Sequence, residues 1–224
     1  MGDMRDARRV MVDNQIRTFD VTDRGVLAAF DTVPRELFVR PADRAIAYSD
    51  RPLVVEAGEA RRPLLMPLVL ARLIQALQPE PGESALDVMG GTGYSAAILA
   101  AIGLDTTALE RDPAFAEAAR AALAAAGAAV TVLPAVPGLS AEAGAALATG
   151  LFDIILINGA SEKVPSGFFP LLKDGGRLGI ILQDGGVQRA MVFVKSAGHA
   201  SPRRAFDAAA QVLPGFASEP GFVF

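Results

Sequence analysis

Hydrophobic positions in this chain follow two rhythms. Through the first third they recur at helical spacing. "MRDARRVMVDNQIR" sets Val10, Met11, Asn14 and Ile16 near one face and predicts an amphipathic helix. In "TDRGVLAAFDTVPRELFV" the residues Val26, Leu27 and Phe30 form an apolar stripe with Thr22 as candidate N-cap. Pro34 ends that helix, and "RELFV" restarts as a short turn. "RPADRAIAYSDRPLVVEAGEARRP" reads as a loop rich in charge and proline, reaching Pro63. "LLMPLVLARLIQAL" then predicts a helix with Pro67 at its first position and Leu70, Leu73, Ile74 and Leu77 buried.

From Ser84 onward strands and helices alternate. "SALDVM", "LDTTALE", "AAVTVLPAV", "FDIILIN" and "RLGIIL" read as five strands, and the wholly apolar centre of "FDIILIN" marks a strand buried on both faces. Between them, "GYSAAILAAIG" is a helix stopped by Gly103, and "DPAFAEAARAALAAAG" a helix capped by Asp112. "GLSAEAGAALATG" predicts a short helix, and "VPSGFFPLLKDGG" another that stops at Gly175. "RAMVFVK" and "RRAFDAAAQVLPGF" predict a final antiparallel pair, with His199 in the turn "GHASPR" as a surface residue. The fold class is therefore α/β: a doubly wound, mostly parallel seven-stranded sheet with a helical N-terminal extension. Residues 1–80 form the extension and a substrate-lip loop, residues 81–224 the α/β domain, and the two make one compact unit.

Composition narrows the function classes. Half of the 224 residues are hydrophobic (51%), too many for a disordered chain. No apolar run approaches the roughly 20 residues of a membrane span. A net charge of −4 speaks against a nucleic-acid partner. The absence of cysteine excludes disulfides, thiolate metal sites and a cysteine nucleophile, and no metal site is expected. It also fits a cytoplasmic location, as does an opening, "MGDMRDARRVMVDNQ", unlike a secretory signal.

The chemistry concentrates in "SALDVMGGTGYSAAILA". A glycine turn from Met89 to Gly93, with Gly90, Gly91 and Gly93, joins a strand to a helix at the place where open α/β sheets bind nucleotides. "GTGYSA" even fits the dinucleotide pattern G-x-G-x-x-A. Asp87 decides against NAD: an acid just below the turn repels a pyrophosphate but favours the ammonium and sulfonium of S-adenosylmethionine. Glu110, ending the next strand beside Arg111, is placed to accept from ribose hydroxyls. The cofactor-binding set is thus Asp87, Met89, Gly90, Gly91, Gly93, Glu110 and Arg111.

These segments resemble the protein-L-isoaspartate O-methyltransferases, a family of class I methyltransferases that use S-adenosylmethionine. "MVDNQIRTFDVTDRGVLAAFDTVPRELFV" is similar to the family's opening helices, "AYSDRPL" to its A-Y-x-D-x-P-L, and "LDVMGGTGYSAAILA" to its cofactor loop. "FDIILINGASEKVPSGFFPLLKDGGRLGI" matches its next strands. The resemblance implies a Rossmann-like methyltransferase sheet with an unusual C-terminal strand arrangement. It also implies an activity, methylation of the isoaspartyl carboxylate in damaged proteins for repair.

Three positions depart from the family. Met89 stands where its loop begins with glycine, and its side chain either narrows the pocket or points into the sheet. Where the family carries Q-T-I-S beside the methyl acceptor, this chain reads Glu59, Ala60, Arg61 and Arg62. Leu133, Pro134 and Ala135 offer no acid toward adenine. No catalytic residue is assigned; the substrate-lip candidates are Arg61, Arg62 and Asn158. The arginines are either donors to an acceptor carboxylate or solvated loop charges, and Asn158 either borders the transferred methyl or caps a strand. A different carboxylate acceptor, or a binding or regulatory homologue with weakened catalysis, are the alternatives to isoaspartyl methylation; an NAD oxidoreductase is a distant fourth.

Overall fold

The structure, a computed structural model, describes residues 3–142 and 151–218. Its centre is a seven-stranded sheet built from β3 (Ser84–Val88), β4 (Asp105–Leu109), β5 (Val130–Val132), β6 (Phe152–Ser161), β7 (Leu172–Asp184), β8 (Val187–Ser196) and β9 (His199–Asp207). Their order is β5-β4-β3-β6-β7-β8-β9. The first five run parallel, and β8 and β9 fold back as an antiparallel meander. The order reverses between β3 and β6, so a crevice opens beyond the carboxyl ends of those strands. Along β6, Ile154 and Leu156 pack into one core cluster while Ile155 and Ile157 pack into the other. That division is why this strand is apolar at successive positions from Ile154 to Ile157 rather than at alternate ones.

Helices α4 (Tyr94–Ile102) and α5 (Pro113–Ala125) follow β3 and β4. Gly103 closes α4 with φ +105°, and the Asp112 carboxylate caps α5 by accepting from Ala114 N–H. At the N-terminal end, α1 (Met4–Met11), α2 (Arg24–Thr32) and α3 (Pro67–Ala76) pack into the same cluster as α4. Pro67 opens α3 as expected, with Leu70, Leu73, Ile74 and Leu77 buried.

Several expectations change. The "loop" ending at Pro63 contains an antiparallel hairpin, β1 (Leu53–Ala57) and β2 (Ala60–Leu64), turning at Gly58 with φ +59°. Leu53, Val55 and Ala57 alternate inward along β1, a period of two hidden among charges and prolines. The first helix ends at Met11, and a π turn over Val12–Ile16 shifts its phase. Val12 therefore joins Met11 and Ile16 inside, whereas Val10 is 53% exposed and Asn14 faces out. Asp23, not Thr22, caps α2, because its carboxylate reaches Val26 N–H at 2.8 Å. "VPSGFFPLL" forms a 3-10 turn over Ser166–Leu171, and "LKDGG" already belongs to β7 as an irregularity, Gly175 taking φ +81°. His199 is exposed as expected but opens β9, the turn lying at Ala197 and Gly198. Beyond Asp207 the tail leaves the sheet until Val212 bridges Ala160 in parallel. Most of the short helix read into "GLSAEAGAALATG" lies outside the described residues.

Candidate active site

The floor of the crevice is the turn between β3 and α4. Met89, Gly91 and Gly93 all take left-handed backbone, with φ of +56°, +67° and +92°. Glycine accepts this freely; Met89 does so under strain, with its N–H donating to the Leu109 carbonyl at 2.8 Å. Its side chain, 1% exposed, packs beside Leu109 and Val136 in the core cluster and also walls the crevice. Both readings of Met89 thus describe one side chain.

Asp87 lies beneath the turn. Asn158 donates to Oδ1 at 2.8 Å and Ser95 to Oδ2 at 2.9 Å, while the Asn158 amide also reaches the Val88 carbonyl at 3.1 Å. Burial pushes the Asp87 carboxyl up to about 7, against the pull of those two donors. At 1% exposure it acts on the crevice through Asn158 and Ser95, which line it. Gly90 seals this arrangement: a Cβ there would collide with the Asp87 carboxylate and sit 2.6 Å from Ser95 Oγ. Gly90→Ala is expected to part Asp87 from Ser95 and lower stability by about 1–3 kcal/mol in urea unfolding. An unchanged midpoint would show that the turn yields without strain.

Glu110 emerges from the end of β4, 2% exposed. Gly91 N–H donates to its Oε1 at 2.6 Å, and Arg62 Nη2 reaches both oxygens at 2.8 and 2.7 Å. The Arg62 guanidinium lies 4.6 Å from the centre of the Phe115 ring. Burial raises the Glu110 carboxyl, with Arg62 and the Gly91 amide opposing. A charged residue faces inward here because β2 alternates: Arg62 and Leu64 point to the core side and Arg61 to solvent. The two arginines of the lip are accordingly separated. Arg61 pairs with Glu56 at the surface, the solvated-charge outcome, whereas Arg62 binds a carboxylate of the chain itself.

Three spaces meet at Arg62. A chamber of about 300 Å³ lies between Met89, Phe115 and the segment Gln211–Pro214. A void of about 10 Å³ separates Met89 and Gly90 from Asn158. An outer crevice of about 770 Å³ runs between the hairpin and the segment after β9, with Asn158, Gln183, Gln188 and Gln211 in its wall. Arg62 lines all three. Arg111 borders the chamber while donating to the Leu139 carbonyl at 2.7 Å, which ties it to the wall.

Sequence reasoning missed Ser95, Phe115 and the wall from Gln211 to Pro214. Ser95 was legible within "GYSAA" at the start of a helix, next to the acid-bearing strand. The wall left no local signal: Ala160 N–H donates to Gln211 O and Leu213 N–H to Ala160 O, both at 2.9 Å, across some fifty residues.

Residues 6–209 match the family model described as Protein-L-isoaspartate(D-aspartate) O-methyltransferase. A protein-L-isoaspartate O-methyltransferase of Methylorubrum extorquens (strain PA1) is 38% identical over 176 residues, 79% of this chain and 74% of the relative. One from Rhodopseudomonas palustris (strain BisA53) is 31% identical over 213 residues, 94% of this chain and 96% of that one. A solved beta-aspartate methyltransferase of Plasmodium falciparum, in complex with S-adenosyl-L-homocysteine, superposes with TM-score 0.74. It is 20% identical, with 93% of this chain and 98% of that chain covered, and shares the fold. The chain belongs to the protein-L-isoaspartate O-methyltransferase family.

Proposed function

We propose that this protein transfers a methyl group from S-adenosylmethionine to the carboxylate of isoaspartyl residues in damaged proteins. The observation that carries the reading is the placement of Glu110 and Asp87 at the ends of adjacent parallel strands, on either side of the glycine turn. The donor set suits the cofactor in kind. Glu110 is a buried acceptor for ribose hydroxyls, and the Arg62 nitrogen that now donates to both its oxygens stands in for those donors. Asp87, Asn158 and Ser95 set negative charge and polar groups beneath the turn, favouring a cation. Arg111 and the turn residues Met89, Gly90, Gly91 and Gly93 complete the proposed cofactor set. The outer crevice lies within the roughly 300–1,000 Å³ of small-molecule sites, and its amide-rich wall suits a peptide backbone.

When bound, S-adenosylmethionine supplies a sulfonium methyl that a nucleophile displaces in line. The chain need not supply a base, because an acceptor carboxylate with a pKa near 4 is already ionised at neutral pH. What remains for the protein is alignment and exclusion of water. The hairpin and the Gln211–Pro214 wall provide the cover, and Asn158 borders the outer crevice from the strand ends. The missing lip hydroxyls therefore remove positioning groups rather than a chemical step. Arg62 in their place also favours a second reading, the same transfer to a different carboxylate, since a guanidinium pairs with carboxylates generally.

A labelled methyl donor incubated with an isoaspartyl peptide, its aspartyl counterpart and a panel of small carboxylic acids tests both readings. Labelling of the isoaspartyl peptide alone is the expected result. Labelling of a small acid instead would move the assignment to the second reading, and background throughout would reject both.

A further inference from the structure

Arg62 is common to the chamber of about 300 Å³ and the outer crevice, and its guanidinium already holds Glu110, the proposed ribose acceptor. Resting on the function proposed above, we infer that Arg62 couples the two sites. While the chamber is free of nucleoside it neutralises Glu110; when ribose takes Glu110, the guanidinium turns into the outer crevice and binds the acceptor carboxylate. Donor and acceptor thus bind synergistically, and specificity for an anionic acceptor resides in Arg62.

Charge balance underlies the inference. Arg62 is buried together with Glu110 and packs against Phe115, so losing its partner leaves a desolvated cation. Among the described residues of the outer crevice wall the other charged side chain is Asp207, already paired with Arg204 at 2.7 Å and Arg189 at 3.8 Å. Asn158, Gln183, Gln188 and Gln211 offer that wall dipoles rather than a counter-charge. An incoming carboxylate is what restores neutrality around the displaced guanidinium. A nucleoside alone must break the buried pair without compensation, and an acceptor alone finds Arg62 engaged. Each ligand prepares the protein for the other, and linkage requires the effect to be equal in both directions.

The test is calorimetric binding of S-adenosylhomocysteine, which cannot turn over, to the full chain. It is measured alone, with a terminally blocked isoaspartyl peptide, and with the same peptide carrying a carboxamide in place of the isoaspartyl carboxylate. The wild-type protein is expected to bind S-adenosylhomocysteine at least about fivefold tighter with the carboxylate peptide and unchanged with the amide. Arg62→Ser is expected to bind it tightly alone, with less than twofold help from the peptide; Arg62→Lys keeps the charge and part of the coupling. Circular dichroism confirms that each variant is folded, and the wild-type comparison stands without any variant. Binding of S-adenosylhomocysteine with no response to the peptide overturns the coupling and leaves the cofactor assignment intact. Equal coupling in Arg62→Ser does the same. No binding to any folded form overturns the cofactor assignment and the coupling with it.

Discussion

Glu110→Ala is expected to destabilise the protein by about 3–5 kcal/mol, because it leaves the Arg62 guanidinium buried without its carboxylate. The figure reflects an unpaired charge, not the strength of the pair. Replacing both partners, as in Arg62→Met with Glu110→Gln, should recover most of the loss, since the methionine keeps contact with Phe115 and the amide oxygen can still accept from Gly91 N–H. Urea unfolding of Arg62→Met, Glu110→Gln and the double variant forms a cycle that isolates the pair. A Glu110→Ala protein within about 1 kcal/mol of wild type would mean that water reaches Arg62, and that the crevice is wetter than its burial indicates. Loss of Glu110 should also cost about 1–3 kcal/mol of S-adenosylhomocysteine binding, through hydrogen bonds to ribose. Unchanged affinity would remove Glu110 from the cofactor set.

Stability is expected to decline as pH rises from about 4 to about 7, opposite to the usual behaviour of a paired carboxylate. Burial lifts Asp87 from 3.8 to about 7 in the folded protein, so across that window the native state holds a proton that the unfolded chain has released. The stabilisation is complete below the unfolded value and gone once pH passes the folded one. Three units correspond to about 4 kcal/mol as an upper bound. Glu110 is raised as well and slopes the same way. Asp153, held near 2 by Lys173 and Ser84 despite its own burial, acts in the opposite sense, but its contribution is lost only as pH falls through the unfolded value toward 2. Urea unfolding at pH 5 and pH 8 checks this: wild type should be more stable at pH 5, and Asp87→Asn should flatten the difference. An equal slope in that variant would assign the titration to another group. The same linkage bears on ligand binding. A cation above the turn favours ionised Asp87, so donor uptake below pH 7 should release a proton, visible as a buffer-dependent heat.

The parts of the fold that could be read in advance are those whose cause is local. Pro67 opens a helix because its ring lacks the N–H that a first turn does not use, and the run Ile154–Ile157 in "FDIILIN" announces a doubly buried strand because successive positions face both cores. Asp87 and Glu110 could be placed at the carboxyl ends of strands because each closes a segment of strand length and shortly precedes a turn or a helix cap. The hairpin was legible in principle, through the inward alternation of Leu53, Val55 and Ala57, but the charges interleaved with it resembled a loop.

What the tertiary structure decided is who meets whom. Arg62 and Glu110 stand 48 residues apart, and neither local pattern records that one will neutralise the other. The same holds for the Gln211–Pro214 wall, which lies against β6 because β6 runs past its register with β3, ending at Val88 opposite Ile157, and leaves Ala160 N–H and C=O to be satisfied. Met89 could be flagged as an intruder in a glycine turn, yet its double duty in core and crevice follows from packing on both sides of the strand end. Periodicity is written residue by residue along the chain, whereas the pairing of a buried charge is settled by whichever distant group the assembled sheet brings within reach.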